Sequence, residues 1–369
     1  MTELLDEVTA LARELVSIDS RSFISNVAVA ECVESALPGF EIERIDYTDP
    51  AGVAKRALVA HRGGTGGIGL SGHMDTVPDT GWTDDPWAAR VADGVLHGLG
   101  AVDMKGPLAA AIVAARGLPA SVPVTLLVTA DEETTKEGAR RIAGQSQLAR
   151  QAALRGIVLV EPSALMPVRG HRVHIEFTAT ATGRQAHSST GRGANANWAL
   201  IPFLAEMRSL YQRLRDDPAF HDAAYDPPFS DFNLTIDNHG TALNVTVPKA
   251  TARIKFRYSR GLDPEPVVAE VQSAAARTGV ALHIKREGTP PELPVDNPLV
   301  RMAVSIAGHP ARTVPYGTDA SELQALAPCV ILGPGDMHYA HQPDEHVVLG
   351  DLAAAVPLLR RFATEAAAR

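Results

Sequence analysis

Val124-Thr125-Leu126-Leu127-Val128-Thr129-Ala130-Asp131-Glu132-Glu133 runs from a short, mostly apolar stretch straight into three consecutive acids. An uninterrupted apolar run of this length suits a strand buried on both faces, as in the middle of a parallel sheet. The pattern recurs along the chain. Residues 68–71 lead into Gly72-His73-Met74-Asp75, and residues 157–160 lead into Glu161. Residues 330–332 lead into Gly333-Pro334-Gly335 and then to His338 and His341. Alanine-rich helical segments, residues 107–118 and 138–153, lie between or near these runs. The alternation predicts an α/β domain with an open, mostly parallel sheet and helices on both faces. Sites in such sheets form at the carboxyl ends of the strands, where the polar residues fall.

The texture changes in the middle of the chain. Residues 172–182 alternate apolar and polar side chains, as half-solvated strands do, and residues 243–247, 252–258 and 280–285 read similarly. A helical stretch at 197–215 and a proline-bearing loop at 216–231 lie among them. This predicts an inserted α+β domain with an antiparallel sheet. The expected organisation is a catalytic domain in two parts, residues 1–170 and 287–369, interrupted by an insert at 171–286.

A chain of 369 residues exceeds one ordinary core, which agrees with two domains. Its net charge of −9, with scattered Lys and Arg, argues against nucleic acid and anionic membrane as partners. Two cysteines, Cys32 and Cys329, form no disulfide framework and point to a reducing, cytoplasmic setting. Leu4, Leu5, Val8, Leu11, Leu15 and Ile18 repeat at helical spacing. The acids Glu3, Asp6, Glu7 and Glu14 are foreign to a secretory signal. The apolar runs are too short to span a bilayer.

The chemistry-bearing residues are individually ambiguous. His73 and Asp75, one residue apart, point the same way in an extended segment, and a metal-binding histidine commonly has a carboxylate partner. A surface pair would look the same. Asp103, in Gly98-Leu99-Gly100-Ala101-Val102-Asp103-Met104-Lys105-Gly106, also suits a helix N-cap. No phosphate-loop motif accompanies these glycines. Glu132 and Glu133 fit either an acidic helix start or a cation site that relieves their repulsion. Taken together, two histidines and several carboxylates converge on one sheet edge, a donor set suited to zinc. An adjacent Glu-Glu pair can supply one ligand and one unliganded base.

The chain resembles the acetylornithine deacetylase and succinyl-diaminopimelate desuccinylase family of co-catalytic zinc hydrolases, relatives of aminoacylases and glutamate carboxypeptidases. The resemblance rests on Ser71-Gly72-His73-Met74-Asp75-Thr76-Val77-Pro78, residues 98–106, Thr129-Ala130-Asp131-Glu132-Glu133-Thr134 and Glu161-Pro162-Ser163. It continues through Gln185-Ala186-His187-Ser188-Ser189 and Gly333-Pro334-Gly335-Asp336 to His341-Gln342-Pro343-Asp344-Glu345. It implies two zinc ions per chain, replaceable by cobalt. His73 and Glu161 would hold one, Glu133 and His341 the other, and Asp103 would bridge them. Asp75 would orient His73. Glu132 would be the general base toward a bridging water that attacks the amide carbonyl. His187 would polarise that carbonyl from the partner subunit of a homodimer, with the insert as dimerisation domain. Asn244, Arg257, Gly317 and Thr318 match substrate-contacting positions. A cis peptide bond is implied between Asp103 and Met104.

The implied activity is removal of an acyl group from a small N-acyl amino acid, closest to acetylornithine deacetylase. The segment Tyr316-Gly317-Thr318-Asp319-Ala320-Ser321 departs from the deacetylase form, which has Thr-Glu-Ala. A carboxypeptidase, dipeptidase or desuccinylase is the alternative within the family. A non-catalytic metal-binding protein is the alternative outside it.

Overall fold

A computed structural model describes residues 2–368. The chain divides into two compact units. One comprises residues 1–170, 291–312 and 318–369, and the other residues 171–290 and 313–317.

The larger unit is built on an eight-stranded mixed sheet. Its order is Glu41–Thr48, Ala54–Arg62, Val124–Thr129, Ile68–His73, Gly156–Pro162, Cys329–Gly333, Val168–His171 and Arg312–Val314. The four strands from Val124–Thr129 to Cys329–Gly333 run parallel and are buried along their lengths. These are the continuous apolar runs read from the sequence. The first two strands form an antiparallel flank, and the second of them also pairs antiparallel with Val124–Thr129. Their mixed polar composition had concealed them. Gly333 lies where two strands come close: a Cβ there would sit 2.0 Å from the Val160 carbonyl oxygen. A side chain would force the strand carrying Glu161 away.

Helix Lys105–Arg116 is buried from Lys105 to Ala115. Its alanines let it lie closely under the sheet, between the amphipathic helices Thr2–Val16 and Leu349–Ala367. The expected helix at 138–153 is two helices, Glu137–Gln145 and Gln147–Gln151. Ser146 divides them, and its hydroxyl accepts the Ala149 N–H as an N-cap.

The smaller unit has an antiparallel sheet in the order Asp231–Asp237, Lys249–Tyr258, Val173–Thr182, Ala281–Arg286. Helices Ala196–Asp216 and Glu265–Thr278 cover it around Phe177, Phe203 and Phe256. One expectation fails here. Residues 243–247 make no sheet strand: Leu243 and Asn244 turn, and Val245 forms one isolated antiparallel bridge, to His187. The Val245 N–H bonds locally to Ala242, Leu243 is fully exposed, and Pro248 has no N–H to extend a ladder. The strand Asp231–Asp237 takes the sheet edge.

Candidate metal centre and active site

The ends of the parallel strands bring the candidate residues together. His73 is the last residue of its strand and is buried. Glu161 is the penultimate residue of Gly156–Pro162 and also buried. After Val124–Thr129, Asp131 takes a left-handed conformation (φ 61°), and its carbonyl accepts the N–H of Thr135 at 2.9 Å and of Lys136 at 2.6 Å. This tight turn holds Glu132 and Glu133 at the strand end. The following helix begins only at Glu137, so the two glutamates are not an acidic helix start. Asp103 is not a cap either, because Met104 occupies that position before Lys105–Arg116. The Asp103–Met104 bond is cis.

The Asp103 carboxylate lies between two imidazoles. Its Oδ1 is 3.1 Å from His73 Nε2, and its Oδ2 is 3.3 Å from His341 Nε2. His341 Nε2 is also 3.0 Å from Glu133 Oε1. One ligand atom each from His73, Asp103 and Glu133 falls within a 4.8 Å group. Burial, the His341 and Glu133 hydrogen bonds and mutual repulsion set the charges. Desolvation pushes Glu161 up to about 8, with the charges of Asp103, Asp319 and Glu133 adding to it. Desolvation likewise pushes Glu133 up and Glu132 well up. Burial opposes charge on His73, yet its hydrogen bond to Asp103 and the surrounding carboxylates hold its pKa well above normal. The hydrogen bonds to Asp103 and Glu133 raise His341 to about 11. Burial disfavours the Asp103 carboxylate, but its hydrogen bonds to His341 and His73 keep its pKa below the usual range.

Asp75 organises this centre mainly through the backbone. His73 Nδ1 is 2.9 Å from the Asp75 carbonyl oxygen and 3.7 Å from its carboxylate. A carbonyl only accepts, so Nδ1 carries one proton; in the metal-free protein Nε2–H donates to Asp103, and loss of that second proton frees the Nε2 lone pair for a metal. The Asp75 carboxylate instead accepts the N–H groups of Glu132 at 3.1 Å and Glu133 at 3.3 Å, and the Ser22 hydroxyl at 2.7 Å.

Several supporting residues carry no distinctive signal in the sequence. Lys55 is fully buried and pairs with Asp131 at 2.9 Å, and the Tyr47 hydroxyl donates to the same carboxylate at 2.8 Å. Lys136 donates to the Thr318 carbonyl at 2.8 Å and lies 3.5 Å from Glu132 Oε1. Asp319 is buried and accepts the Thr129 hydroxyl, and desolvation pushes it up to about 6. Glu345 accepts the N–H groups of Val102 at 3.0 Å and Asp103 at 3.1 Å. Its only sequence signal is its place four residues after His341.

The remaining candidates, His187, Asn244, Arg257 and Gly317, belong to the smaller unit. Thr318, in the larger unit, is buried. His187 is exposed, and the Ser189 N–H donates to its Nδ1 at 3.3 Å. The Ser188 N–H donates to the Asn244 carbonyl at 3.0 Å, joining those two segments. Arg257 pairs with Asp231 at 2.8 Å. Both border a cavity of about 330 Å³ with Arg172, Phe229 and Tyr316.

Residues 69–365 match the family model described as Peptidase family M20/M25/M40. The chain belongs to this family. Among its relatives is the acetylornithine deacetylase of Proteus mirabilis (strain HI4320), 35% identical over 89% of this chain and 87% of that one. That of Myxococcus xanthus is 32% identical over 98% of each chain. Among solved structures, the Saccharomyces cerevisiae dipeptidase Dug1p has the same fold, with a TM-score of 0.76 at 14% identity over 100% of this chain and 98% of that one. A Staphylococcus aureus tripeptidase matches at 0.74 and 20% identity over 99% of each. The M20 protein is thus a metallohydrolase of deacetylase or peptidase type. The family implies a dinuclear metal site, and the donors fit one: buried carboxylates crowd together with imidazole nitrogens around Asp103 and need cations to offset their repulsion. Among the described residues, no helix is long and apolar enough to cross a membrane.

Proposed function

We propose that this M20 hydrolase removes an acyl group from a small N-acyl amino acid, as acetylornithine deacetylases do, using two zinc ions that cobalt can replace. The observation that carries this reading is the Asp103 carboxylate, with one oxygen toward His73 and the other toward His341. His73 and Glu161 would hold one ion, Glu133 and His341 the other, and Asp103 both. When bound, the ions supply Lewis-acid polarisation of the carbonyl and acidify a water.

The chain's own residues supply the rest. Glu132 takes a proton from the attacking water and returns it to the leaving nitrogen. Its backbone is fixed by Asp75, and Lys136 lies beside its carboxylate. His187 donates to the developing oxyanion. Because Nδ1 accepts the Ser189 N–H, the neutral ring bears its proton on Nε2, as this role requires. Arg257 and Asn244 bind the amino-acid portion, with Gly317 and Thr318 shaping the pocket. The guanidinium beside the 330 Å³ cavity is suited to a carboxylate.

His187 belongs to the smaller unit, which contributes none of the metal residues, and we assign it to the partner's site in a homodimer. Support comes from the exposed apolar side chains of that unit, Trp198, Ile201, Leu234, Ile236 and Leu243, and from its open edge strand Asp231–Asp237. The two unbridged cysteines agree with a cytoplasmic enzyme.

Asp319, where deacetylases carry glutamate, favours a second reading with a different acyl amino acid or a dipeptide as substrate. The test is a panel of acetylornithine, other acetyl amino acids, succinyl-diaminopimelate and dipeptides, run with zinc and with cobalt. Highest kcat/KM on an acetyl amino acid supports the proposal. Preference for dipeptides overturns the substrate assignment, and turnover that survives chelation overturns the mechanism.

A further inference from the structure

Strands Val95–His97 and His346–Val348 pair antiparallel, with His97 directly opposite His346. Residues opposite each other in such a ladder project from the same face. The two imidazoles stand side by side, ring centres 5.5 Å apart and planes at 40°. Both are partly exposed, and the Tyr339 ring packs 4.2 Å from that of His346.

His346 Nδ1 lies 2.7 Å from the Asp344 carbonyl oxygen. That carbonyl fixes the proton on Nδ1 and leaves the lone pair on Nε2, the arrangement that prepares a histidine for a metal. Burial first, then the charges of Arg90 and His346, lower the pKa of His97, so its ring is neutral and able to ligate near neutral pH. Two imidazoles sharing one zinc ion, with each nitrogen about 2.0–2.1 Å away at a tetrahedral angle, have ring centres roughly 5 Å apart. The observed separation of 5.5 Å is close to that value.

We propose that His97 and His346 form a separate surface site for one borderline transition-metal ion, of which Zn²⁺ is the representative. Two nitrogens come from the protein and water completes the tetrahedron, so the ion is held less tightly than any at the buried cluster. Arg90, opposite His97 on the adjoining strand, opposes the ion's charge, while Asp344 favours it. An ion here ties the segment that follows His341 and Glu345 to strand Val95–His97. The inference does not depend on the dinuclear reading, because it shares no ligand with it.

The test is equilibrium dialysis of the intact protein against graded free Zn²⁺, with metal counted by mass spectrometry. Wild type should take up one more ion per chain than His97→Gln or His346→Gln, whose tightly held metal should be unchanged. Equal uptake in all three overturns the site. A second readout uses wild type alone. Zn²⁺ added after the tight sites are filled should shift the assigned ring-proton resonances of His97 and His346, and unmoved resonances overturn it equally.

Discussion

The Glu345 carboxylate accepts the backbone N–H of Asp103 at 3.1 Å. One buried side chain thereby joins the loop of His341 to the residue that lies between the two histidines. Its second bond, to the Val102 N–H at 3.0 Å, fixes the approach to Asp103 from the preceding residue as well.

Glu345→Ala strands both N–H groups in a buried setting, at a cost of ~1–3 kcal/mol each. Urea unfolding should show that loss, and metal content should fall with it. Glu345→Gln retains an acceptor and should recover part of both. Unaltered stability and metal content in Glu345→Ala would remove Glu345 from this role.

Metal uptake should release protons. In the metal-free protein, His73 lies well above its usual range, His341 near about 11 and Glu161 near about 8. At neutral pH these groups hold protons that a cation must displace, since metal ligands are deprotonated. Affinity for zinc should therefore rise with pH through about 8, where Glu161 loses its proton, and on toward about 11, where His341 does. Calorimetry in buffers of differing ionisation enthalpy should report net proton release. A pH-independent affinity with no release would contradict the assigned ligands.

The trans assignment of His187 predicts complementation. His187→Ala and Glu132→Ala should each be nearly inactive. Mixed and reassembled, half of the dimers become hybrids with one intact composite site, and activity returns to roughly a quarter of wild type. No recovery after verified subunit exchange would place His187 in its own chain's site or outside catalysis.

Much of this was legible in the sequence for a definite reason. A strand buried on both faces must be continuously apolar, so His73, Glu132, Glu133 and Glu161 stood out at the points where such runs stop. What stayed hidden depended on distant partners. Lys55 reads as an ordinary solvated cation in residues 54–62, yet it is buried because Asp131 arrives from a different part of the chain. The sequence alone pairs Asp75 with the His73 ring. Its carboxylate reaches the N–H groups of Glu132 and Glu133, a contact that only the folded strand ends create. Residues 243–247 alternate like a strand, but a turn at Leu243–Asn244 and Pro248 confine their pairing to one isolated bridge, Val245 to His187.

The central claim is that Glu132 moves the proton while Glu133 holds a metal. The most direct measurement is metal content and kcat on one preparation of Glu132→Ala. The account predicts two ions per chain, as in wild type, with kcat reduced on the order of 10²–10⁴-fold or more. Loss of an ion from this variant, or near-normal turnover with both ions retained, would contradict it.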